Sequence, residues 1–449
     1  MKVAGVELEG AKVLVVGMAK SGVAAAQLLP AQGAVPIACD SKPFASLSES
    51  VQEALQGVEF REQSAAAADG VDMVILSPGV PPDVDVVRAA RVPIVGELEL
   101  ASYFLKGKTI GITGTNGKTT TTALVGHVLQ QCGIAAQVGG NIGTPPSAMV
   151  ATSRTDQYNV LELSSFQTES IDHFRADIAV CLNVTPDHLD RYATFEDYVA
   201  AKGRLFETQS EDAFAILNAD DEHCVEFAKR TRARVLWFSA RRRATPGVWV
   251  EDGEIRYQGE PVMRTEEILM RGKHNWENVL AAAAVAKLSG ASLSQLAAAV
   301  RSFEGVEHRI EFVRRVSGVG FYNDSKATNV DAALKSIDSF SERLFVILGG
   351  KDKGSDYAPL AAPLKEKAVA ALLIGQASDK IEAAILDSVP VILCNTLDAA
   401  VQAAYSQARA GDVVLLAPAC ASFDQFDNYE HRGRVFKQAV AELAEREIE

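Results

Sequence analysis

Short apolar runs alternate along the chain with glycine-containing turns and with longer segments in which apolar residues recur at helical spacing. Runs such as Lys12–Gly17 and Ile178–Val184 are rich in Val, Ile and Leu, which is typical of short strands buried on both faces of a sheet. Strands that alternate with helices in this way form parallel sheets covered by helices, so the pattern predicts an α/β protein. The predicted strands are Lys12–Gly17, Val35–Asp40, Val71–Ser77, Thr109–Thr113, Tyr158–Ser164, Ile178–Val184, Ala213–Asn218, Gly318–Asn323, Arg343–Gly349, Ala368–Gly375, Pro390–Asn395 and Asp412–Pro418.

These strands fall into three groups, with breaks at Lys106-Gly107-Lys108 and near Glu304-Gly305. The middle group includes a hairpin, Gly247–Tyr257, with Asp252-Gly253 as its type I′ turn, and it ends in a helix around His274–Leu288. At 449 residues the chain is long enough for several domains, each with its own core. We expect a Rossmann-like domain over 1–107, a central P-loop ATPase domain over 108–303, and a Rossmann-like C-terminal α/β domain over 304–449.

The charge balance argues against a nucleic-acid partner. Asp and Glu number 58 against 44 Lys and Arg, a formal net charge of -14, which opposes sustained binding of a phosphate backbone. The one basic cluster is interpreted as a solvated loop, because charge runs usually are. Its members are Arg230, Arg232, Arg234, Arg241, Arg242 and Arg243.

Cysteine usage and apolar segments favour a soluble cytoplasmic protein. The six cysteines include no C-x-x-C pair, so neither a disulfide framework nor a zinc site is indicated. The N-terminus MKVAGVELEG lacks the apolar core of a signal peptide, and the apolar stretch Leu280–Ala286 is cut short by Lys287. We therefore expect no targeting segment and no membrane partner.

The strongest chemical motif opens the middle group. Thr109–Thr120 is a strand, a glycine-containing turn and Lys-Thr at the start of a helix, which directs backbone N–H groups and a helix dipole at phosphates. The strict G-x-x-x-x-G-K-[ST] spacing fails because position 112 is Ile, but the surrounding strand and helix still indicate a nucleoside triphosphate site. Lys118 is expected at the β- and γ-phosphates and Thr119 at Mg²⁺.

Acidic residues follow two other strands of the middle group. Glu162 lies near the carboxyl end of a predicted strand, where a lone acid is more often an ion-paired edge residue. Asp187, His188 and Asp190 follow the next strand, and such a cluster suits Mg²⁺ or its bound waters. Together with the phosphate motif, these groups indicate a metal-dependent ATP site.

The third group places polar side chains after three strands. Asp324, Lys326, Thr328 and Lys351 follow two of them, and carboxyl ends of parallel strands meet at one edge of a sheet. Lysines at such an edge can bind a carboxylate or a transferring phosphoryl group, whereas we interpret Lys353 as part of a polar turn. The segment 418–429 precedes a helix after Asn428, and Ser422 is a candidate helix N-cap as well as a substrate ligand.

The first strand also runs into a glycine turn. Gly17 and Gly22 give G-x-x-x-x-G, and Asp40 ends the second strand where a ribose-binding acid would lie. This combination indicates a nucleotide-shaped ligand without specifying a redox cofactor.

Five ordered motifs across the whole chain together resemble the Mur ligase family. They are Gly114-Thr-Asn-Gly-Lys-Thr, Glu162-Leu-Ser-Ser-Phe-Gln167, Asp187-His-Leu-Asp-Arg191, Asn323-Asp-Ser-Lys-Ala-Thr-Asn329 and Ser422-Phe-Asp-Gln-Phe426.

The resemblance is closest to the D-glutamate-adding members of that family. It implies cytoplasmic peptidoglycan precursor synthesis by a monomeric ligase, with a UDP-substrate domain, an ATPase domain and an amino-acid domain. The γ-phosphoryl group of ATP would pass to the carboxylate of UDP-N-acetylmuramoyl-L-alanine, and D-glutamate would attack the acyl phosphate. Phosphorylation supplies the leaving group that a free carboxylate lacks.

The resemblance also implies a role for individual residues, with ATP as co-substrate and two Mg²⁺ sites. The catalytic set is Lys118, Glu162, His188 and Lys202. The metal set is Thr119, Glu162, His188 and a carbamylated Lys202. By its position alone, Lys202 would be interpreted as a solvated lysine on the helix Phe195–Phe206. The ATP set is Gly114, Thr115, Asn116, Gly117, Lys118, Thr119, Thr120, Asn275, Arg309, Asp324 and Lys326, with His308 and Arg309 joining the ATPase domain to the third domain. The UDP-substrate set is Ala19, Lys20, Ser21, Asp40, Ser77, Gly79, Asn141 and His188, and the D-glutamate set is Thr328, Lys351, Ser422 and Phe423.

Two residues depart from the family pattern. Lys42 stands where Arg is common beside the uracil, and Tyr429 stands where Phe often packs on the amino-acid site. Both substitutions keep the residue's general character but leave the uracil contacts open.

Other functions remain open at this point. A sister ligase that adds L-alanine, a diamino acid or a dipeptide shares the same phosphate chemistry, as does a folylpolyglutamate synthetase. The Glu162–Gln167 and Asn323–Asn329 motifs and the absence of an Asp-Asn-Pro-Arg motif favour D-glutamate. An NAD-dependent oxidoreductase and a silent nucleotide-binding scaffold are the alternatives from other classes.

Overall fold

A computed structural model describes residues 1–189 and 191–445. Its strands are β1 (Lys2–Val3), β2 (Val6–Glu7), β3 (Lys12–Val16), β4 (Val35–Asp40), β5 (Glu59–Glu62), β6 (Met73–Leu76), β7 (Ile94–Gly96), β8 (Lys108–Thr113), β9 (Ala136–Gly140), β10 (Tyr158–Glu162), β11 (Ile178–Cys181), β12 (Phe214–Asn218), β13 (Arg234–Ser239), β14 (Gly247–Glu251), β15 (Glu254–Tyr257), β16 (Glu260–Arg264), β17 (Glu311–Val316), β18 (Val319–Asn323), β19 (Leu344–Gly349), β20 (Ala368–Ile374), β21 (Val391–Asn395) and β22 (Val413–Leu416).

The α-helices follow the strands as the alternating pattern predicts. They are α1 (Lys20–Ala31), α2 (Glu49–Ala54), α3 (Asp85–Ala89), α4 (Glu97–Ser102), α5 (Lys118–Gln131), α6 (Pro146–Met149), α7 (Ser165–Thr168), α8 (Phe195–Glu207), α9 (Glu222–Phe227), α10 (His274–Leu288), α11 (Leu293–Arg301), α12 (Val330–Asp338), α13 (Ala361–Lys367), α14 (Ser378–Ile385), α15 (Leu397–Gln407) and α16 (Tyr429–Ala441).

Three main sheets contain most of these strands, besides the β1–β2 pair. The first has the order β5-β4-β3-β6-β7, the second β16-β15-β14-β13-β12-β11-β8-β10-β9, and the third β17-β18-β22-β19-β20-β21. The first sheet is parallel throughout, while β14–β15 and β17–β18 are antiparallel pairs. The predicted α/β class with mostly parallel sheets is confirmed.

Apolar side chains fill both faces of the third sheet. Along β19, Val346 and Leu348 join one buried cluster, whereas Phe345 and Ile347 join another on the opposite face. Alternate strand residues point to opposite faces, so the continuous apolar run reflects helices that cover both sides. The same division into two buried clusters holds for the first sheet.

Strand register places several loop starts at common sheet edges. In the second sheet β8 lies between β10 and β11, so their carboxyl ends are adjacent. In the third sheet β22 lies between β18 and β19. Loops that follow these strands are therefore neighbours, as the sequence predicts.

The chain divides into two compact units. The first contains Met1–Val184, Thr194–Met263 and Val279–Val300, while the second contains Thr185–Ala193, Arg264–Asn278 and the described residues from Arg301 to Glu445. The proposed three-domain boundaries remain a prediction. Among the described residues, no helix combines the length and apolar character needed to cross a bilayer.

Candidate active site

The predicted phosphate motif forms the loop between β8 and α5. Gly114 and Gly117 have φ values of 147° and 87°, a region that residues with a Cβ rarely adopt. Gly117 is the N-cap of α5, so the first amides of the helix lie at the end of the loop. This is the geometry in which backbone N–H groups bind an anion.

Asn183 fixes this loop from the neighbouring strand end. Its carbonyl accepts from the Thr115 amide at 2.8 Å, and its side-chain oxygen accepts from the Asn116 amide at 2.9 Å. Its amide nitrogen donates to the Asn116 carbonyl at 3.1 Å. Sequence reasoning did not single out Asn183, although a polar residue just beyond a strand that neighbours β8 was the available signal.

Two lysines meet at one carbonyl of the loop. Lys118 Nζ donates to the carbonyls of Gly114 and Thr115, each at 2.8 Å, and Lys202 Nζ donates to Gly114 at 2.9 Å. Lys202 is 1% exposed and lies 4.6 Å from the centroid of the Tyr198 ring. The interpretation of Lys202 as a solvated lysine is therefore wrong, because α8 turns this face inward.

Glu162 adds a buried carboxylate at the same sheet edge. It ends β10 opposite Ile112 of β8 and is 2% exposed. Oε1 accepts from Asn141 Nδ2 at 3.1 Å, while Oε2 is buried with no hydrogen-bond partner in the described chain. A buried unpaired carboxylate oxygen is costly without a cation or donor, so these residues fit a bound Mg²⁺.

The glycine before Asn141 permits this approach. Gly140 has a φ of 109°, and a Cβ there would lie 2.3 Å from the Glu162 carbonyl oxygen. The Asn141 amide donates to that same carbonyl at 2.8 Å. Asn141, a member of the predicted UDP-substrate set, thus orients Glu162 through both backbone and side chain.

Asp187 and His188 belong to the second unit. His188 has a φ of 55°, and its amide donates to Asp187 Oδ1 at 2.9 Å. Asp187 Oδ2 accepts from Asn329 Nδ2 at 3.2 Å, which connects two of the predicted motifs. Asp190 lies outside the described residues.

Asp324 and Arg309 form a buried polar pair. Asp324 is 1% exposed, and its Oδ1 lies 3.8 Å from Arg309 Nη1. Ser336 donates a short hydrogen bond to Asp324 Oδ2. Burial raises the pKa of Asp324 although Arg309 opposes that shift.

Lys326 is held by the residue that departs from the family pattern. Its ammonium group donates to Tyr429 Oη at 3.2 Å and lies 4.8 Å from the ring centroid. A Phe at position 429 could offer only the ring. The hydroxyl therefore gives Lys326 an additional anchor in this chain.

A hydrogen bond between backbone groups joins the loop after β19 to the loop after β22. The Lys351 amide donates to the Ala421 carbonyl at 2.9 Å, and a Cβ on Gly350 would lie 2.2 Å from that oxygen. Ser422 is 2% exposed, whereas Phe423 is 66% exposed. Thr328, whose amide donates to the Lys326 carbonyl at 2.8 Å, belongs to the same unit.

The proposed N-cap role of Ser422 is wrong. Helix α16 begins at Tyr429, and the side chain of Asn428 accepts from the His431 amide at 2.7 Å. The Ser422 carbonyl instead accepts from Gln425 and Phe426 in a turn. The predicted helix after Asn428 is confirmed.

Arg432 is a residue that sequence reasoning missed. It is fully buried, and it donates to Ser325 Oγ at 3.0 Å, to the Ser325 carbonyl at 2.8 Å and to the Cys420 carbonyl at 3.1 Å. Burial lowers its pKa to about 10. The available signal was its four-residue spacing from Phe436 and Val440, which places it on the apolar face of α16.

The predicted UDP residues other than Asn141 and His188 lie at the carboxyl edge of the first sheet. Asp40 accepts from the Met18 amide at 2.7 Å and from the Lys42 amide at 2.9 Å. Ser77 Oγ donates to the Gly17 carbonyl at 2.7 Å. Ala19 is the N-cap of α1, which begins at Lys20-Ser21, and Gly79 lies beyond Ser77.

Asn275 lies in the first turn of α10. It is 4% exposed, its amide nitrogen donates to the Arg271 carbonyl, and its oxygen accepts from Asn278 at 2.8 Å. Burial, with Arg309 and Lys335 adding to it, lowers the pKa of the adjacent His274 to about 3. This imidazole is therefore neutral near pH 7.

One group of residues elsewhere has the geometry of a metal site. Glu307, His308 and Glu311 offer ligand atoms within 4.8 Å of one another. However, Lys437 Nζ donates to both carboxylates, at 3.0 Å for Glu311. The ammonium group already occupies one oxygen of each carboxylate and offsets part of their charge, so we assign no metal to this cluster.

Family models match two stretches of the chain. Residues 112–286 match the Mur ligase middle domain, and residues 308–420 match the Mur ligase glutamate ligase domain. The UDP-N-acetylmuramoylalanine--D-glutamate ligase of Solibacter usitatus is 56% identical over 437 residues, covering 97% of this chain and 98% of the relative. The ligase of the same name from Koribacter versatilis is 49% identical over 98% of this chain and 99% of its own length.

Solved structures show the same fold at low identity. The UDP-N-acetylmuramate-alanine ligase of Thermotoga maritima has a TM-score of 0.63 at 20% identity, covering 96% of this chain and 99% of that one. The MurF ligase of Thermotoga maritima, solved with ADP, has a TM-score of 0.63 at 17% identity, covering 91% and 96%.

Proposed function

This chain belongs to the Mur ligase family, and we propose that it joins D-glutamate to UDP-N-acetylmuramoyl-L-alanine with conversion of ATP to ADP and phosphate. The observation that carries this reaction class is the phosphate loop of β8 and α5, with Lys118 and the partly unpaired carboxylate of Glu162 at one sheet edge. The choice of D-glutamate is supported by the 56% identity to a relative named for that reaction.

The reaction needs two transfers. A carboxylate oxygen of the UDP-substrate attacks the γ-phosphorus of ATP, and the bond to the ADP oxygen breaks. The D-glutamate amine then attacks the acyl carbon, loses a proton, and displaces inorganic phosphate. Most of this catalysis is positioning and charge stabilisation, which Lys118 and the α5 amides supply at the phosphates.

The metal ligands proposed for Mg²⁺ are Thr119, Glu162, His188 and Lys202. Bound Mg²⁺ would neutralise phosphate charge during transfer. The unpaired Oε2 of Glu162 supports a cation beside the phosphate loop. The proposal keeps two ions, with Thr119 and Glu162 at the first and His188 at the second.

Carbamylation of Lys202 is supported by its surroundings. Lys202 and Lys118 donate to the same Gly114 carbonyl, and two ammonium groups this close disfavour each other. Reaction of the neutral amine with CO₂ replaces a cation with an anion and leaves one N–H to donate. The modified side chain would then offer oxygens for the second ion.

The proposed substrate contacts are the residue sets that the family resemblance implies. Asn275, Arg309, Asp324 and Lys326 are proposed to contact ATP; Ala19, Lys20, Ser21, Asp40, Ser77, Gly79, Asn141 and His188 to contact the UDP-substrate; and Thr328, Lys351, Ser422 and Phe423 to contact D-glutamate. The buried hydroxyl of Ser422 and the joined backbones of Lys351 and Ala421 support the last assignment. We propose that the enzyme acts as a monomer in the cytoplasm.

Phosphate release tests this function directly. The purified chain is supplied with ATP, Mg²⁺ and UDP-N-acetylmuramoyl-L-alanine, and D-glutamate is compared with L-glutamate, L-alanine, L-lysine and meso-diaminopimelate. We expect release only with D-glutamate, and a loss of about 100- to 1,000-fold in Lys118→Ala because a charge-stabilising group is removed. Release with another amino acid would overturn the substrate, and silence with all five would favour the scaffold.

A further inference from the structure

A buried tyrosine hydroxyl joins the two loops assigned to the amino acid. Tyr357 is 1% exposed, and its Oη lies 2.8 Å from Asp352 Oδ1 and 3.1 Å from Cys420 Sγ. A carboxylate can only accept, so the Tyr357 hydroxyl donates to Asp352. The Cys420 thiol in turn donates to the Tyr357 oxygen.

The Asp352 end of this connection is rigidly built. Its Oδ1 also accepts from the amides of Gly354 and Ser355, at 3.1 and 3.2 Å. Its Oδ2 accepts from Lys380 Nζ at 2.9 Å. Burial opposes the shift, but the hydrogen bonds from Lys380, Tyr357 and Ser355 and the Lys380 charge together hold the pKa of Asp352 below its usual value, so the acceptor stays ionised at neutral pH.

The Cys420 end is equally constrained. Cys420 is 2% exposed, its carbonyl accepts from Arg432, and burial raises its thiol pKa to about 11. The thiol therefore remains protonated and able to donate. The two consecutive hydrogen bonds, from the Cys420 thiol to the Tyr357 oxygen and from the Tyr357 hydroxyl to Asp352, can satisfy all three groups in only this donor–acceptor order.

The two loops carry the residues assigned to the substrate amino acid. Lys351 precedes Asp352, and Ser422 follows two residues after Cys420. Two backbone hydrogen bonds join these loops, from the Lys351 amide to the Ala421 carbonyl at 2.9 Å and from the Gly349 amide to the Pro418 carbonyl at 2.8 Å. The Tyr357 hydroxyl adds a side-chain connection that reaches Asp352, one residue past these backbone contacts.

We propose that Tyr357 is a positioning residue for the amino-acid substrate. It holds the Lys351 and Ser422 loops in their binding arrangement before the ligand arrives, so less conformational freedom is lost on binding. This inference rests on the proposed function, because that function assigns the two loops to D-glutamate. Loss of one such hydrogen bond corresponds to an effect of about 3- to 10-fold on binding.

The test compares two tyrosines that each lose a buried hydroxyl. Tyr357→Phe is expected to raise the KM for D-glutamate about 3- to 10-fold, with kcat and the KM for ATP unchanged within twofold. Tyr405→Phe is the control, since Tyr405 is 7% exposed and its Oη donates to the Ala444 carbonyl at 2.8 Å. The control should leave all three constants unchanged.

Thiol alkylation gives a readout that does not need turnover. The alkylation rate of Cys420 by a maleimide, followed by peptide mass mapping, should rise several-fold in Tyr357→Phe and not in Tyr405→Phe. An unchanged KM for D-glutamate would overturn the positioning role, as would a fall in kcat alone. If wild-type enzyme did not use D-glutamate, the proposed function would fail, and an unchanged alkylation rate would separately disprove the connection.

Discussion

Burial changes what Lys202 can do chemically. A lysine on an amphipathic helix is ordinarily solvated and cationic, but Lys202 is 1% exposed and shares the Gly114 carbonyl with Lys118. An ammonium group binds neither CO₂ nor a metal ion, so the proposed carbamylation requires the neutral amine. A carbamate at this position would place its oxygens in the buried site beside the phosphate loop.

Replacing Lys202 tests the proposed carbamate directly. Lys202→Ala should lose at least about 100-fold in phosphate release, and added formate or acetate should restore part of it by supplying carboxylate oxygens. Lys118→Ala provides the matched control, because the acids cannot replace a cation. Wild-type activity in Lys202→Ala, or equal rescue of both variants, would contradict the carbamate.

Two lysines close together in the same loop, Lys351 and Lys353, are assigned different roles. Lys351 is assigned to D-glutamate, whereas Lys353 is interpreted as part of the turn. Lys351→Met should therefore raise the KM for D-glutamate about 10- to 100-fold, because a charged hydrogen bond to the substrate is removed. Lys353→Met should change it less than twofold. Steady-state kinetics with varied D-glutamate measures both, and the opposite result would transfer the role to Lys353.

The sequence predicts the residues that carry the chemistry of the site better than the residues that hold its loops in place. Lys118 and Glu162 follow strands in recognisable motifs. Asn183 and Arg432, in contrast, act through backbone carbonyls and amides, whose positions depend on tertiary packing. The sequence signals for these two residues, a position just beyond a strand and a helical spacing, do not identify the backbone groups that they contact.

At the scale of elements, the hydrophobic pattern predicts central strands better than it predicts strands at sheet edges. Central strands such as β8 and β19 were predicted because burial on both faces makes them apolar. The interior strand β13 was not predicted, and neither were β5, β9 and β17, which lie at sheet edges, where one side needs no apolar partner. Their sequences are accordingly mixed, as in the Glu-Phe-Arg-Glu of β5.

The Asn428 cap should stabilise the start of α16. Its side chain accepts from the His431 amide at 2.7 Å, so Asn428→Ala should cost about 1 kcal/mol locally. Hydrogen exchange of the first α16 amides should accelerate about fivefold at that energy. Asn428→Asp should retain protection, and equal exchange in all three proteins would show that the cap contributes nothing.

Glu97, at the start of α4, should make stability depend on pH. It is fully buried; Oε1 accepts from the Ser147 amide at 2.7 Å, and Oε2 has no hydrogen-bond partner among the described residues. Burial raises its pKa from 4.5 to about 7. Between these values the folded chain holds a proton that the unfolded chain has released, so stability falls as pH rises through this window.

Replacing the titratable carboxyl group of Glu97 should remove this dependence of stability on pH. Glu97→Gln should match wild type near pH 4.5 and exceed it at pH 8 by up to about 3 kcal/mol. Thermal unfolding of both proteins between pH 4.5 and 8 measures the difference. A constant difference across this range would show that Glu97 is ionised in the folded chain throughout.

At the scale of the whole molecule, three groups of strands become three main sheets, as the polar breaks suggested. The assignment of short segments was not predictable: Thr185–Ala193 and Arg264–Asn278 cluster with the second unit although they are flanked by residues of the first. That clustering follows from contacts such as Asp187 with Asn329 and Arg271 with Glu342. Local sequence carries no record of such distant partners.

The central claim is that a substrate carboxylate attacks ATP before D-glutamate attacks carbon. UDP-N-acetylmuramoyl-L-alanine labelled with ¹⁸O in its alanine carboxylate is incubated with the enzyme, ATP, Mg²⁺ and D-glutamate, and the released phosphate is analysed by mass spectrometry. The account predicts one ¹⁸O in each phosphate released, matched by one molecule of D-glutamate-containing product. Unlabelled phosphate accompanying that product would contradict the acyl phosphate.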